Sequence, residues 1–341
     1  MQFGVFDHLD FSGEPFAEQF ESRLKMAEAY DRCGLYGYHL AEHHGTTLGA
    51  APSPNVFLSA LAQRTKRIRL GPLVYVLPLY NPLRLIEEIA MLDHLSNGRL
   101  MIGVGKGASP IEARFCGVPD EEIGPRFEEA RECLMRGLTR DRLDFQGRFY
   151  RFDDVPLRMR PLQQPRPPLW YGLNRHETLG WAVANDVNVV MLALDPQARV
   201  LADAYRAEWK RAGKPEGALP LIGVSRHVVV ADTDAEASAL ARSAYARWIA
   251  SFERLWTESG INIRQLIPGL SKTYPESWDD LVAIGNGVAG SPETVLRFAR
   301  KTIDATGCNY LASWLAFGNL SAPQVIRSAE LFSKHVMSAF V

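Results

Sequence analysis

Four short stretches of this chain hold side chains whose types and spacing can do chemistry. Ala41-Glu42-His43-His44 sets a carboxylate beside two imidazoles, groups that give and take protons near neutral pH. Neighbouring side chains on extended backbone point to opposite sides, so only one of the two histidines can face a common site. Gly103-Val104-Gly105-Lys106-Gly107 alternates glycines around a lysine, and a backbone without Cβ atoms on one face admits a flat ring or a phosphate. Its third glycine comes one residue too early for the dinucleotide fingerprint, and the run is not a Walker loop. Asn174-Arg175-His176-Glu177-Thr178 reads as a capped helix start after Trp170-Tyr171-Gly172. Its backbone N–H groups, guanidinium and hydroxyl suit an anion, and with Lys106 they suit a phosphate monoester. His227 follows Ser225 and Arg226. His8, His43, His44 and His227 are metal ligands only if they converge in space, and neither an H-x-H on the first strand nor an H-E-x-x-H is present.

These stretches sit at the ends of short apolar runs. The runs are Phe3 to Phe6, Gly37 to Ala41, Ile68 to Leu77, Leu100 to Val104, Pro168 to Tyr171, Val187 to Leu192, Val224 to Val230 and Tyr310 to Trp314, each followed by a helical pattern. Such alternation predicts parallel βα units, and eight of them without a Gly-rich loop after the first strand predict a closed (β/α)8 barrel, the TIM-barrel architecture. Capping patterns mark helix starts at Ser109, Asn174, Thr233 and Ser321, each three residues before a carboxylate or amide, and at Ser291 before Pro292. Barrel enzymes carry their chemistry at the C-terminal ends of the strands, where the four stretches fall. Tyr75, Tyr80 and Trp170 are candidates to line an apolar substrate pocket, with packing in the barrel core the other role open to each.

Two insertions interrupt the repeat. Phe145 to Phe152 reads as a hairpin before a proline-rich crossing. A segment from 257 to 286, punctuated by Gly260, Pro268, Gly269, Pro275 and Gly285, is expected to form a lid over the active face. The 341 residues are read as a single domain, 1–341, since barrels of about 250 residues routinely carry insertions. A net charge of −1 without charge blocks gives no support to nucleic-acid binding. Four scattered cysteines without a CxxC pair, no membrane-length apolar window and no leader-like start lead to the expectation of a cytoplasmic protein without a membrane partner.

The ordered set A-E-H-H at 41–44, V-L-P-L-Y-N-P-L-R from Val76, L-D-H-L-S-N-G-R from Leu92, I-G-V-G-K-G from Ile102, and the C-terminal G-S-P-E-T, I-D-A-T-G-C-N-Y and A-E-L-F resembles the bacterial luciferase-like monooxygenases over nearly the whole chain. The resemblance implies reduced FMN at the C-terminal mouth of the barrel, which reacts with O2 to give a peroxyflavin that oxygenates a small organic substrate. It implies a separate NAD(P)H:flavin reductase, in keeping with the lack of a nicotinamide fingerprint, and a homodimer formed through helices near Asn81 to Asp93. His43 matches the family's catalytic acid or base. Lys106, with Gly107 beside it, stands at a basic position on the flavin phosphate, and Arg175 and Thr178, after Gly172, fall at the phosphate-binding helix start. Leu73 and Val74 match a pair whose peptide, cis in the family, lies against the isoalloxazine. His227 resembles a position used by sulfonate-cleaving relatives, with the neighbouring arginine offset by one. Gly105 replaces the reactive cysteine of true luciferases, and Arg175 replaces a small hydroxyl residue. The same-class alternative is a deazaflavin-dependent oxidoreductase of the same superfamily; alternatives of other kinds are a flavin-binding protein that has lost catalysis and a metal-dependent barrel hydrolase.

Overall fold

The structure is a computed structural model that describes residues 1–266 and 269–340. Its strands are β1 (Gln2–Asp7), β2 (Gly37–Leu40), β3 (Arg69–Pro72), β4 (Tyr75–Val76), β5 (Ile102–Gly105), β6 (Arg142–Gln146), β7 (Arg151–Pro156), β8 (Leu169–Gly172), β9 (Asn188–Met191), β10 (Ile222–Val230), β11 (Gly287–Gly290) and β12 (Tyr310–Trp314). The main sheet runs β3-β2-β1-β12-β10-β9-β8-β5-β4. Because β3 and β4 are two halves of one stave, split at Leu73–Val74, this order closes into a barrel of eight parallel staves. β6 and β7 form the expected outlying hairpin. β11, which sequence periodicity does not reveal, pairs with the outer half of β10.

The helices are α1 (Phe16–Arg32), α2 (Pro54–Arg64), α3 (Pro82–Leu95), α4 (Pro110–Phe115), α5 (Asp120–Thr139), α6 (Leu179–Ala184), α7 (Asp195–Arg211), α8 (Asp234–Glu258), α9 (Ile263–Leu266), α10 (Leu270–Thr273), α11 (Trp278–Ala283), α12 (Pro292–Thr306) and α13 (Ala322–Leu331). Among the described residues, no helix is long and apolar enough to cross a membrane. Side chains of Ser109, Thr233 and Ser291 accept from the first-turn amides, and Ser321 with Gln324 forms a capping box, as their spacing predicts. Asn174 does not cap: the chain enters a 3-10 turn over His176–Thr178 with Arg175 at the N-cap position and no side-chain cap. The segment 257–286 contains the short helices α9, α10 and α11; Ile267 and Pro268 within it lie outside the described residues.

The barrel interior is marked by His39, Trp170 and Tyr310, whose ring centroids lie 4.5 Å (His39 to Trp170) and 5.0 Å (Trp170 to Tyr310) apart. The Tyr310 hydroxyl and His39 Nε2 share a hydrogen bond of 2.8 Å, and burial pushes the His39 imidazole down to about 3. Tyr310 fits across the base because facing strands have no side chain there; a Cβ on Gly4 would lie 1.7 Å from its Oη. Trp170 is therefore a core residue at the base and not a pocket wall. Tyr75 faces outward to Asn55 of α2, and Tyr80 donates to Glu42.

Candidate active site

Register partners in a parallel ladder share a face, so the interior set at the base fixes which residues rise into the mouth. Phe6 pairs with His39, Gly103 with Trp170, and Gly223 with Tyr310. Two residues further on, the same faces present His8 after β1, Gly105 on β5 and Gly172 on β8, and four residues beyond Gly223 comes His227 on β10, in register with Trp314 on β12.

Buried charged groups lie near His8. Arg23 of α1 is buried between Asp7 (3.7 Å) and Asp10 (3.2 Å), the Tyr38 hydroxyl donates to Asp7 Oδ2, and the Gly318 N–H donates to Asp10 Oδ2, both at 2.7 Å. Burial raises the Asp10 carboxyl to about 6. The His8 ring stacks on His43 at 5.4 Å and meets Trp314 edge-on at 4.8 Å. Burial, and then the neighbouring His43, His227 and Arg23, hold its imidazole well below the ordinary value.

His43 and His44 diverge, as adjacent residues on extended chain should. His44 Nε2 bonds Glu42 Oε1 at 2.9 Å, which raises the His44 imidazole above its ordinary value. The other Glu42 oxygen accepts from the Val76 N–H (3.1 Å) and the Tyr80 hydroxyl (2.8 Å), tying the β2 end to β4. His43 Nδ1 lies 3.0 Å from Glu112 Oε1.

His227 is 1% exposed, and its Nε2 has no hydrogen-bond partner. Trp314 (4.0 Å between centroids), Trp248 of α8 (4.7 Å), Phe317 (4.9 Å) and Tyr245 (5.5 Å) surround it, and burial keeps it neutral by lowering its pKa far below the ordinary imidazole value. Tyr274, from the 257–286 segment, stacks over Trp314 with centroids 6.0 Å apart. Two carbonyls brace that segment from within, Thr273 accepting from Asn286 and Tyr274 from Arg264, and the Pro275 carbonyl ties it to α8 by accepting from the Tyr245 hydroxyl. The expected lid thus packs aromatic side chains over the β10–β12–β1 side of the mouth.

The opposite side is more open. A Cβ on Gly172 would meet nothing within 4 Å, while one on Gly105 would lie 2.5 Å from the Val74 side chain. The Leu73–Val74 peptide is cis, and Gly107 has φ +88°. Above β9, Leu192 is 39% exposed although it shares the face of buried Val190, which shows that this arc opens to solvent. Lys106 and Arg175 stand exposed on the connections leaving β5 and β8, and among the described residues neither pairs with a carboxylate. Thr178 Oγ1 donates to the Arg175 carbonyl at 3.3 Å. An open backbone face at Gly172 beside two exposed cations fits a planar ring carrying a phosphate. The structure places Leu73, Val74, Lys106, Gly107, Gly172, Arg175 and Thr178 on this arc, and His43 and His227 on the histidine side. A cleft of about 640 Å³ outside α8, lined by Phe11, Arg247 and Arg254 among others, includes none of them.

Sequence reasoning missed three participants. His8 is visible only as a possible ligand, Glu112 only as a cap residue, and Trp248 carries no motif. Among the described residues no three His, Cys, Asp or Glu side chains are grouped to hold a metal ion.

The family model for luciferase-like monooxygenases matches residues 1–301. The protein y4wF of Sinorhizobium fredii is 38% identical over 337 residues, which cover 99% of this chain and 96% of that one. The oxygenase component of the flavin-dependent trigonelline monooxygenase of Acinetobacter baylyi is 27% identical over 352 residues, covering 100% and 96%. The oxygenating constituent of 3,6-diketocamphane monooxygenase from Pseudomonas putida, a type II Baeyer-Villiger enzyme solved with FMN, superposes with a TM-score of 0.83 at 22% identity, covering 98% and 97%. The chain belongs to the luciferase-like monooxygenase family, and its activity is the flavin-dependent oxygenation typical of that family.

Proposed function

We propose that the protein is the oxygenase of a two-component system, taking reduced FMN from a separate NAD(P)H:flavin reductase and using O2 to oxygenate a small organic substrate. The observation that carries this reading is the divided mouth, one arc open at Gly172 and flanked by exposed cations, the other lined with imidazoles and aromatic rings. Leu73, Val74, Gly107 and Gly172 would face the isoalloxazine, and Lys106, Arg175 and Thr178 the phosphate. When bound, reduced flavin supplies the electron pair that activates oxygen.

The protein's own side chains do the rest. His43, the more exposed of the mouth histidines, exchanges the proton that oxygen chemistry requires. His227 stays neutral and offers its unpartnered nitrogen to a polar atom of the substrate. Trp248, Tyr274 and Trp314 exclude water from the side on which the substrate sits. The whole chain, 1–341, acts as one catalytic domain in the cytoplasm. It pairs with a second copy across α2 and α3, where Val56, Met91 and Leu95 are exposed, a reading that analytical ultracentrifugation checks.

The test is to load the protein anaerobically with reduced FMN and mix it with O2 while recording flavin absorbance. Slower reoxidation than for free reduced FMN, altered in His43→Ala, is expected. Reoxidation at the free rate, or binding of a reduced deazaflavin in place of FMN, would overturn the proposal.

A further inference from the structure

Glu112 stands three residues after Ser109, the spacing of a capping box, but its carboxylate is used elsewhere. Ser109 caps α4 with its own hydroxyl, accepting from the Ile111 N–H at 3.2 Å. The Glu112 side chain instead reaches the connection that leaves β2, where one oxygen, Oε1, accepts from the His44 backbone N–H at 2.8 Å and meets His43 Nδ1 at 3.0 Å. Glu112 is 5% exposed. A buried carboxylate needs donors, and an ionised one can only accept, so the ring nitrogen facing it carries the hydrogen. That leaves Nε2, across the ring, as the basic atom of the neutral imidazole.

We propose that Glu112 is a positioning residue for His43: it selects the Nδ1–H tautomer, holds the ring stacked on His8, and leaves Nε2 to exchange protons at the mouth. This rests on His43 being the proton-handling residue. The second bond, to the His44 N–H, ties the same oxygen to the backbone of the histidine's own loop, so carboxylate and ring keep their relative placement. Glu42 does not compete for His43, because its oxygens are taken by His44, Val76 and Tyr80.

The tautomer is read from nitrogen NMR of protein labelled at histidine and free of flavin, with the His43 signal assigned by its loss in His43→Asn. The wild type and Glu112→Gln, whose amide oxygen can accept both bonds, are expected to show the Nδ1–H ring. Glu112→Ala is expected to revert to the Nε2–H form that free histidine prefers, and to change the rate at which bound reduced FMN is reoxidised by about tenfold or more, in the direction of His43→Asn. An unchanged tautomer in Glu112→Ala overturns the proposal even if the rate falls. If His43→Asn alters reoxidation and Glu112→Ala does not, the role of Glu112 fails while that of His43 stands. If His43→Asn itself leaves reoxidation unchanged, both fail.

Discussion

Around the barrel mouth, the inner faces of β5, β8 and β9 finish with Gly105, Gly172 and Val190, whereas β1, β10 and β12 lead to His8, His227 and Trp314. All six lie on the same inner face of one closed sheet. On the glycine arc Gly172 has no side chain and faces open space, so the backbone there is within reach of a ligand. On the aromatic arc they fill the mouth and are sealed by Trp248 and Tyr274. The comparison teaches that one barrel separates two tasks by side-chain volume: one arc is shaped by what it leaves out, the other by what it buries. Substitutions on the aromatic arc should therefore act on stability, and those at the glycine arc's surface on binding.

The largest effect is expected from Trp314→Ala, which removes a ring that touches Phe6, His8, His227, Trp248 and Tyr274. It should cost about 3–5 kcal/mol in chemical denaturation while leaving FMN affinity within about threefold. A large loss of flavin affinity with full stability would dissolve the division between the arcs.

Next comes a contrast within the glycine arc. A Cβ on Gly103 would lie 2.2 Å from the Pro72 carbonyl oxygen, which backbone cannot readily yield, so Gly103→Ala should cost about 1–3 kcal/mol or more. Gly172→Ala, facing open space, should stay within about 0.5 kcal/mol. Equal costs would mean that the arc is not open where Gly172 stands.

Acid sharpens the comparison further. His8, His39 and His227 have lowered pKa values, so below the ordinary value of 6.5 the unfolded chain binds protons that the folded chain refuses. Stability is then present above pH 6.5 and lost as pH falls, each histidine adding up to about 1.4 kcal/mol per pH unit. Asp10 works the other way: its raised pKa means that stability falls as pH rises from its ordinary 3.8 to about 6. His227→Phe should remove one proton from the acid slope, measured by denaturation at pH 5 to 7; an unaltered slope would show that His227 is not held neutral.

The smallest effects belong to the cations. Lys106→Ala and Arg175→Ala should each weaken FMN about tenfold and leave riboflavin binding, which involves no phosphate, unchanged. Equal weakening of both flavins would move the phosphate elsewhere.

The staves were legible because each is a buried parallel strand and so a short apolar run. β11 was not, since Gly287-Val288-Ala289-Gly290 carries too little apolar volume and sits in a stretch that reads as punctuation. Asn174 failed as a cap because spacing cannot register the 3-10 turn that follows. Glu112 was hidden for the opposite reason: its spacing satisfies a local rule, while its partners, 68 and 69 residues away, are set by barrel closure. His8 and His227 meet only through the β1–β12–β10 register, which no local pattern encodes. Whether Tyr75 and Trp170 line the pocket or pack in the core was not legible, because the sequence shows a strand's alternation but not which face is the interior.

The central claim is that the more open arc is the flavin site. Anaerobic titration of reduced FMN into the wild type and into Gly172→Trp, followed by flavin fluorescence after rapid reoxidation and by thermal unfolding, tests it most directly. The account predicts saturable binding to the wild type and a loss of on the order of 100-fold in affinity for the variant, with its unfolding temperature retained. Equal affinity in both proteins would contradict it.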